Sequence, residues 1–565
     1  MFTPLKHSMP SPELAKHHNM APSPEASTIK FSIFSFLLLL LLHHTSSSLA
    51  AAMNSTATDP QEAFVKCFLD HHPGAPSNII HVKNSSSLDT VYRSNIQNIR
   101  FLVSSSNTKP LIVVTPTAES HVRTSVTCGR AAGLGVRARS GGHDYEGMSY
   151  VSDGPQFVIV DLVNLRSVAV DVKGGTAWVG AGATVGEVYY NVGKSSPTAG
   201  FPASICTTVG IGGLITGGGI GTIMRKYGVA ADNVVDARVV DAQGRLLDRK
   251  SMGEDLFWAL RGGGGASFGI VVAFKLSLVS VPPKVTVFTV KRTLNQNVTA
   301  LLHRWQYVAD KFDDNLFIRT LAHAVDDKAS PGGRNIQVLF NSLYLGTREQ
   351  LLPLMQRSFP ELGLQASDCT EMTWLESVLY FAGHTGLAPE VLLDRRPGFN
   401  SSFKAKSDFV KEPISVAGWE SIWAFLMAAK GQPLLMIMDP LGGILARIPE
   451  TSIAFPHRKG NLFNIQYFMR WFETDAAVTQ GHLDWMRMMY GFMAPYVSKY
   501  PRAAYLNYKD IDLGRSSEGP GAFAAASSSW GSQYYLGNFK RLASVKGRVD
   551  GDNFFKNEQS IPPLV

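Results

Sequence analysis

Ser140-Gly141-Gly142-His143-Asp144-Tyr145-Glu146-Gly147 and Cys206-Thr207-Thr208-Val209-Gly210-Ile211-Gly212-Gly213-Leu214-Ile215-Thr216-Gly217-Gly218-Gly219-Ile220-Gly221 are the stretches on which the reading of this chain turns. Glycine lets a backbone approach a ligand closely and reach positive φ, at a cost in order. Each cluster carries one reactive side chain, the imidazole of His143 or the thiol of Cys206. Strand-like runs lie between them, Phe157 to Asp161 and Thr176 to Gly180. The expectation is that both clusters wrap one large planar cofactor.

Upstream, Leu111 to Val114 reads as a buried strand. Thr117 to Ala132 reads as a helix with Glu119 early and Gly133 as its stop. Val136 to Arg139 is the strand that delivers the first cluster. Downstream, Thr184 caps a helix over 185–192, and a strand over Val234 to Asp241 turns at Ala242-Gln243-Gly244-Arg245 into Leu246-Leu247. A short helix, Asp255 to Leu260, leads to a third glycine cluster at Gly262 to Gly265 and a strand over 270–278. No G-x-G-x-x-G occurs in the second and third clusters. Gly133 to Ala138 fits the relaxed fingerprint, but it follows a helix and precedes a strand, the reverse of what dinucleotide binding needs. The context therefore argues against a Rossmann domain, although glycine-rich backbone can still cradle phosphates.

Pro282-Pro283 marks a boundary. Beyond it, strands over 285–290, 336–344 and 462–468 alternate with helices over 301–312, 348–359, 419–429 and 474–496, the pattern of an antiparallel sheet with helices on one face. Tyr505 to Gly514 leaves that part, and an aromatic, lysine-containing tail (530–563) packs back onto the first. The fold class is α+β. Its expected parts are 53–284, 285–504 and a returning segment, 505–565.

The net charge of +8 is spread thinly with no basic run, which argues against nucleic-acid binding. No Cys/His spacing suggests a metal. Phe31 to Leu42 is apolar but too short to span a bilayer. With Lys30 before it and Ser48-Leu49-Ala50 after, it has the layout of a secretory signal, the alternative being an uncleaved anchor. Residues 1–52 are thus expected to be a signal with a long leading region, unless Met20 is the start. Asn54, Asn84, Asn297 and Asn400 head glycosylation sequons. Cys67, Cys128, Cys206 and Cys369 allow three complete pairings.

The two clusters, together with Phe403-Lys404-Ala405-Lys406-Ser407-Asp408, Phe455-Pro456-His457-Arg458, Tyr505 to Gly514 and Asn557 to Pro563, resemble the berberine bridge enzyme-like flavoproteins of plants, which have the vanillyl-alcohol-oxidase and p-cresol-methylhydroxylase fold. The resemblance runs from about Cys67 to Pro563. It implies a two-part FAD-binding domain, a substrate domain, and FAD bonded covalently to His143 and Cys206. It further implies flavin contacts from Arg137, Ser140, Gly141, Gly142, Asp144 and Gly147. From the second cluster it adds Val209, Gly210, Gly212, Gly213, Gly217, Gly218 and Gly219, with Tyr227 beyond. It pairs Cys67 with Cys128 and leaves Cys369 free.

Removing a hydride from carbon and a proton from its heteroatom calls for a base near the ring. The resemblance points to Tyr508, with Gln466 and Tyr145 orienting substrate. A phenol is normally protonated at neutral pH, and relatives often carry a lysine where this chain has Asn464, so Tyr508 lacks its usual activator. Ile220 stands where relatives often place an aromatic. Val209 resembles the oxygen-reactive members. The implied function is a secreted or vacuolar, monomeric FAD oxidase of an alcohol, phenolic or alkaloid-type metabolite, in some cases with ring closure, that uses oxygen and releases hydrogen peroxide. The alternatives are a carbohydrate or oligosaccharide oxidase and a flavin-containing cyclase whose reaction is redox-neutral.

Overall fold

Runs of β-branched and aromatic residues build the first sheet of this computed structural model, which describes residues 59–74, 78–103, 107–265, 267–396 and 400–564. The signal segment and Asn54 lie outside the described residues. β1 (Ile80–Val82), β2 (Ile112–Val114), β3 (Gly135–Arg139) and β4 (Phe157–Asp161) are arranged β1-β2-β4-β3. β2, β4 and β3 run parallel, and every residue of β2 and β4 is buried, as strands covered on both faces require. α1 (Pro60–His71) and α2 (Glu119–Ala131) are joined by the Cys67–Cys128 disulfide.

The second sheet is antiparallel. It contains β5 (Val168–Asp171), β6 (Thr176–Gly180), β8 (Val234–Val240), β9 (Leu246–Leu247) and β10 (Ile270–Ser277), ordered β5-β6-β10-β8-β9. β7 (Ala199–Gly200) pairs separately with β11 (Val279–Ser280). α3 (Val185–Ser195) opens on a reciprocal cap. Thr184 Oγ1 accepts from Glu187 N, and the Glu187 carboxylate accepts from Thr184 N, an arrangement that contributes about 1 kcal/mol. The helix expected at Asp255 begins at Arg249, because the Asp248 carboxylate accepts from Ser251 N and starts it there; Gly253 interrupts it at φ 74°.

The third sheet has seven strands: β12 (Val285–Thr293), β13 (Leu316–Asp326), β14 (Arg334–Tyr344), β15 (Cys369–Met372), β16 (Ser402–Val410), β17 (Leu434–Pro440) and β18 (Phe463–Trp471). Their order is β15-β12-β14-β13-β17-β18-β16, antiparallel throughout. Helices α4 (Val298–Val308), α5 (Val416–Ala428) and α6 (Ala476–Met493) share a core with this sheet that includes Trp305, Trp419, Trp423, Met486 and Met489. Each such side chain stabilises by roughly 1.5–3 kcal/mol on burial. The segment after Tyr505 runs back to the first two sheets. Lys546 Nζ donates to Ser267 O at 2.7 Å, and Glu558 receives the Arg137 guanidinium through both carboxylate oxygens. Among the described residues, no helix is long and apolar enough to cross a membrane.

Candidate active site

A cavity of about 710 Å³ opens between the two glycine clusters, β13, β17 and β18 of the third sheet, and the segment 505–509. Arg137, Ser140, Gly141, Gly142, His143, Asp144 and Tyr145 line it from the first cluster; Cys206, Val209, Gly210, Gly212 and Gly213 line it from the second. Gln466 and Tyr508 reach it from the sheet and the returning segment. The sequence reading did not identify Thr208, Arg319 or Asp439, which also stand on the wall.

The reactive side chains meet at Thr208. His143 Nε2 lies 2.8 Å from Thr208 Oγ1, and the same oxygen lies 3.7 Å from Cys206 Sγ. Burial lowers the His143 pKa to about 4, so its imidazole is neutral at working pH. Cys206 is open toward the cavity but enclosed by protein elsewhere. Burial raises its thiol pKa, against the pull of the Thr208 hydroxyl. Gly142 is at φ +67°, and a Cβ there would lie 1.7 Å from Asn95 O, so only glycine can bring the loop through this point.

Not every expected contact faces the cavity. Gly147 packs against Phe101 and Val151, Gly217 against the Asn507 amide, Gly218 against the Phe455 ring and Gly219 against Ala230. These glycines allow close packing of protein on protein, and none of them lines the cavity. Tyr227 is also off the wall, because its hydroxyl donates to Ser280 O. Arg137 is on the wall, but its guanidinium donates to Met148 O and Val151 O at 2.7 Å each and pairs with Glu558. It anchors the returning tail.

On the far side, Gln466 Nε2 donates to Tyr145 Oη at 2.8 Å. The Tyr145 and Tyr508 rings meet edge to face at 6.1 Å, and Tyr508 meets Tyr505 in the same way at 5.0 Å. Burial holds the Tyr508 phenol well above its ordinary pKa, and the Asp439 charge adds to this more than Arg319 relieves it. Asn464 offers no cation. Its amide donates to Asp408 O at 2.9 Å, and in the strand register it stands opposite Asp439. The expectation that Tyr508 is the base therefore meets an unfavourable environment.

A buried ionic cluster ties these parts together. Lys404 pairs with Glu146 and, at 2.7 Å, with Asp510; Lys406 reaches Asp510 and Asp512 at 2.7 Å each; Arg100 reaches Glu146 at 3.0 Å. Glu146 follows Tyr145 and Asp510 lies two residues past Tyr508, so the cluster clamps both tyrosines to β16.

Gly213 tests the fit of a cofactor. It lines the cavity, yet a Cβ built on it would meet no protein atom within 4 Å. Nothing in the protein demands glycine there, whereas a ligand lying against the backbone would. Residues 110–249 match a family model for an FAD binding domain, and residues 504–562 match one for berberine and berberine-like proteins. The chain is 48% identical to the monolignol oxidoreductase AtBBE-like 13 of Arabidopsis thaliana over 508 residues, covering 89% of this chain and 93% of the relative. It is 49% identical to a tetrahydroberberine oxidase of Berberis wilsoniae over 489 residues, covering 86% and 91%. The crystal structure of Phl p 4, a grass pollen allergen with glucose dehydrogenase activity, superposes with a TM-score of 0.83 at 44% identity, covering 89% of this chain and all of that one. The fold is accordingly that of FAD-binding proteins of the berberine bridge enzyme type, with mixed helices and sheets. Identity at this level over almost the whole length of these relatives means that the chain belongs to the berberine bridge enzyme-like family of FAD-dependent oxidoreductases.

Proposed function

We propose that this protein is an oxidase that converts a hydroxyl group of a small aromatic alcohol to a carbonyl, using FAD tethered to His143 and Cys206 and oxygen as the final acceptor. The observation that carries this reading is that a neutral imidazole and a thiol share one hydroxyl, Thr208, on the wall of a cavity of cofactor size. FAD, when bound, supplies the two-electron acceptor, as the hard chemistry of such enzymes belongs to the cofactor. The chain supplies orientation. Tyr508 is protonated and donates to the substrate oxygen. Gln466 fixes the hydroxyl of Tyr145, and that pair bounds the substrate side. Val209 leaves room for oxygen.

The alcohol reading draws on the relative named monolignol oxidoreductase. We further propose that 53–284 and the returning 505–565 form the cofactor part and 285–504 the substrate part, and that the protein is a secreted or vacuolar monomer. Asn84, Asn297 and Asn400 are exposed, which leaves them open to glycosylation. The test is a screen for peroxide release with cinnamyl-type alcohols, sugars and tetrahydroprotoberberine-type amines. Peroxide with the alcohols supports the reading. Turnover of sugars or amines alone moves the substrate class, and product formation with no oxygen uptake points to a redox-neutral cyclisation.

A further inference from the structure

We propose that Asp439 takes the hydroxyl proton of the substrate and that Arg319 holds the carboxylate in place for it. The proposal rests on the alcohol-oxidation reading above.

Arg319 and Asp439 come from adjacent strands, β13 and β17, and both face the cavity. Their side chains are 9% and 8% exposed, with Arg319 Nε and Asp439 Oδ1 3.1 Å apart. Despite that separation, both atoms are buried without a hydrogen-bond partner. The N–H does not point along the contact, so the pair is held by charge alone. A buried polar atom left unsatisfied is destabilising, and here one donor and one acceptor are left side by side. Both atoms are closed off from the cavity, so a substrate hydroxyl meets the carboxylate at its other oxygen, Oδ2, while Arg319 holds Oδ1 by charge. An ammonium would meet the Arg319 charge, and a carboxylate would meet Asp439, so the pair selects a neutral hydroxyl.

The groups facing Asp439 favour its role as the base. Arg319 comes from β13, and the phenols of Tyr505 and Tyr508 come from the returning segment; opposite, on β18, Asn464 is uncharged. Burial pushes the Asp439 carboxyl up from its ordinary range, and Arg319 pulls it back. Tyr508 is held well above its own ordinary value, so its phenol stays protonated and leaves the base role to the carboxylate that Arg319 holds on the cavity wall. In the step, the O–H bond breaks and its proton goes to Asp439 Oδ2. The electron pair of that bond would become the second carbon–oxygen bond, and FAD, when bound, would supply the two-electron acceptor for the hydride on carbon. Asp439 later returns the proton to solvent.

The experiment is anaerobic stopped-flow reduction of the holoenzyme by 4-hydroxycinnamyl alcohol across pH, in the wild type, Asp439→Asn, Asp439→Glu and Tyr508→Phe. Binding is read separately from the perturbation of the flavin spectrum. General-base catalysis contributes about 10²–10⁴-fold, so Asp439→Asn is expected to lose about that much in reduction rate while still perturbing the flavin spectrum on binding. Asp439→Glu restores part of the rate. An ionised base is needed, so wild-type reduction falls as pH drops through the raised carboxyl pKa; this acid limb persists in Tyr508→Phe and vanishes in Asp439→Asn. If Asp439→Asn reduces at the wild-type rate, or if the rate instead rises with a phenol-like pKa that Tyr508→Phe removes, Asp439 is not the base, and the alcohol reading stands. If no alcohol reduces the wild-type flavin, that reading fails and the proposal fails with it. Asp439→Glu keeps the question decidable if Asp439→Asn does not fold.

Discussion

The hydroxyl of Thr208 lies 2.8 Å from the Nε2 atom of His143, and the same oxygen lies 3.7 Å from Cys206 Sγ. One short side chain therefore orients both proposed attachment points. Thr208→Val keeps the shape and removes the hydroxyl. It is expected to leave part of the flavin extractable by acid, whereas His143→Ala and Cys206→Ala each leave a single tether. The fraction of colour in the acid supernatant measures this.

Arg137 and Glu558 form a bidentate pair across the first cluster and the tail, with both side chains nearly buried. Burial alone would raise the Glu558 carboxyl, but its bonds to Arg137 outweigh this and depress it. A depressed carboxyl contributes stability that is present above its unfolded pKa and lost as pH falls through the folded one. Removing one partner of a buried pair costs about 3–5 kcal/mol. Glu558→Gln is thus expected to lower the unfolding midpoint at pH 7 and to flatten the loss of stability below the ordinary glutamate range. Denaturant melts at several pH values check this.

Lys404 stands between Glu146 and Asp510 with almost no exposure. Lys404→Met leaves those carboxylates without one of their cations, at a cost of again about 3–5 kcal/mol. Because the clamp sets Tyr145 beside Tyr508, substrate affinity is expected to weaken along with stability. Thermal melts and KM report the two effects separately.

Val209 lines the cavity three residues past Cys206. Val209→Leu is expected to slow reoxidation of the reduced flavin by oxygen tenfold or more, a barrier rise of about 1.4 kcal/mol, with the rate of reduction by substrate unchanged. Double-mixing stopped flow separates the half-reactions.

The Cys67–Cys128 bond closes a loop with a sequence separation of 61. By the chain-entropy account, a loop of that size contributes about 4 kcal/mol. Cys67→Ala/Cys128→Ala is expected to lower the unfolding free energy by a comparable amount while leaving flavin attachment intact, which denaturation and the visible spectrum show together.

Much of this architecture could be read from local sequence. The buried strands at Ile112–Val114 and Phe157–Asp161 are continuous apolar runs, and Thr184 with Glu187 spells its own cap. Parts of the third sheet were harder. Ser402–Val410 carries Lys404, Lys406 and Asp408, a charged pattern that gives no buried-strand signal, yet every residue of it is buried, because its charges find charged partners 94 or more residues away. The same distance hides the Arg319–Asp439 pair, which exists only once β13 and β17 are hydrogen-bonded. Glycine density was an ambiguous signal. Gly213 faces open cavity, while Gly217, Gly218 and Gly219 hold protein surfaces together, and composition alone does not separate the two uses. The aromatic and lysine content of the tail signalled its return, but nothing local marked Glu558 as the residue that anchors it.

The central claim is that two residues of this chain hold FAD covalently. The most direct measurement is the visible spectrum of the acid-precipitated, washed protein, followed by mass mapping of its coloured peptides. The account predicts a yellow pellet whose flavin mass links the peptide containing His143 to the one containing Cys206. A colourless pellet from well-folded, FAD-loaded protein, or flavin mapped to neither residue, would contradict it.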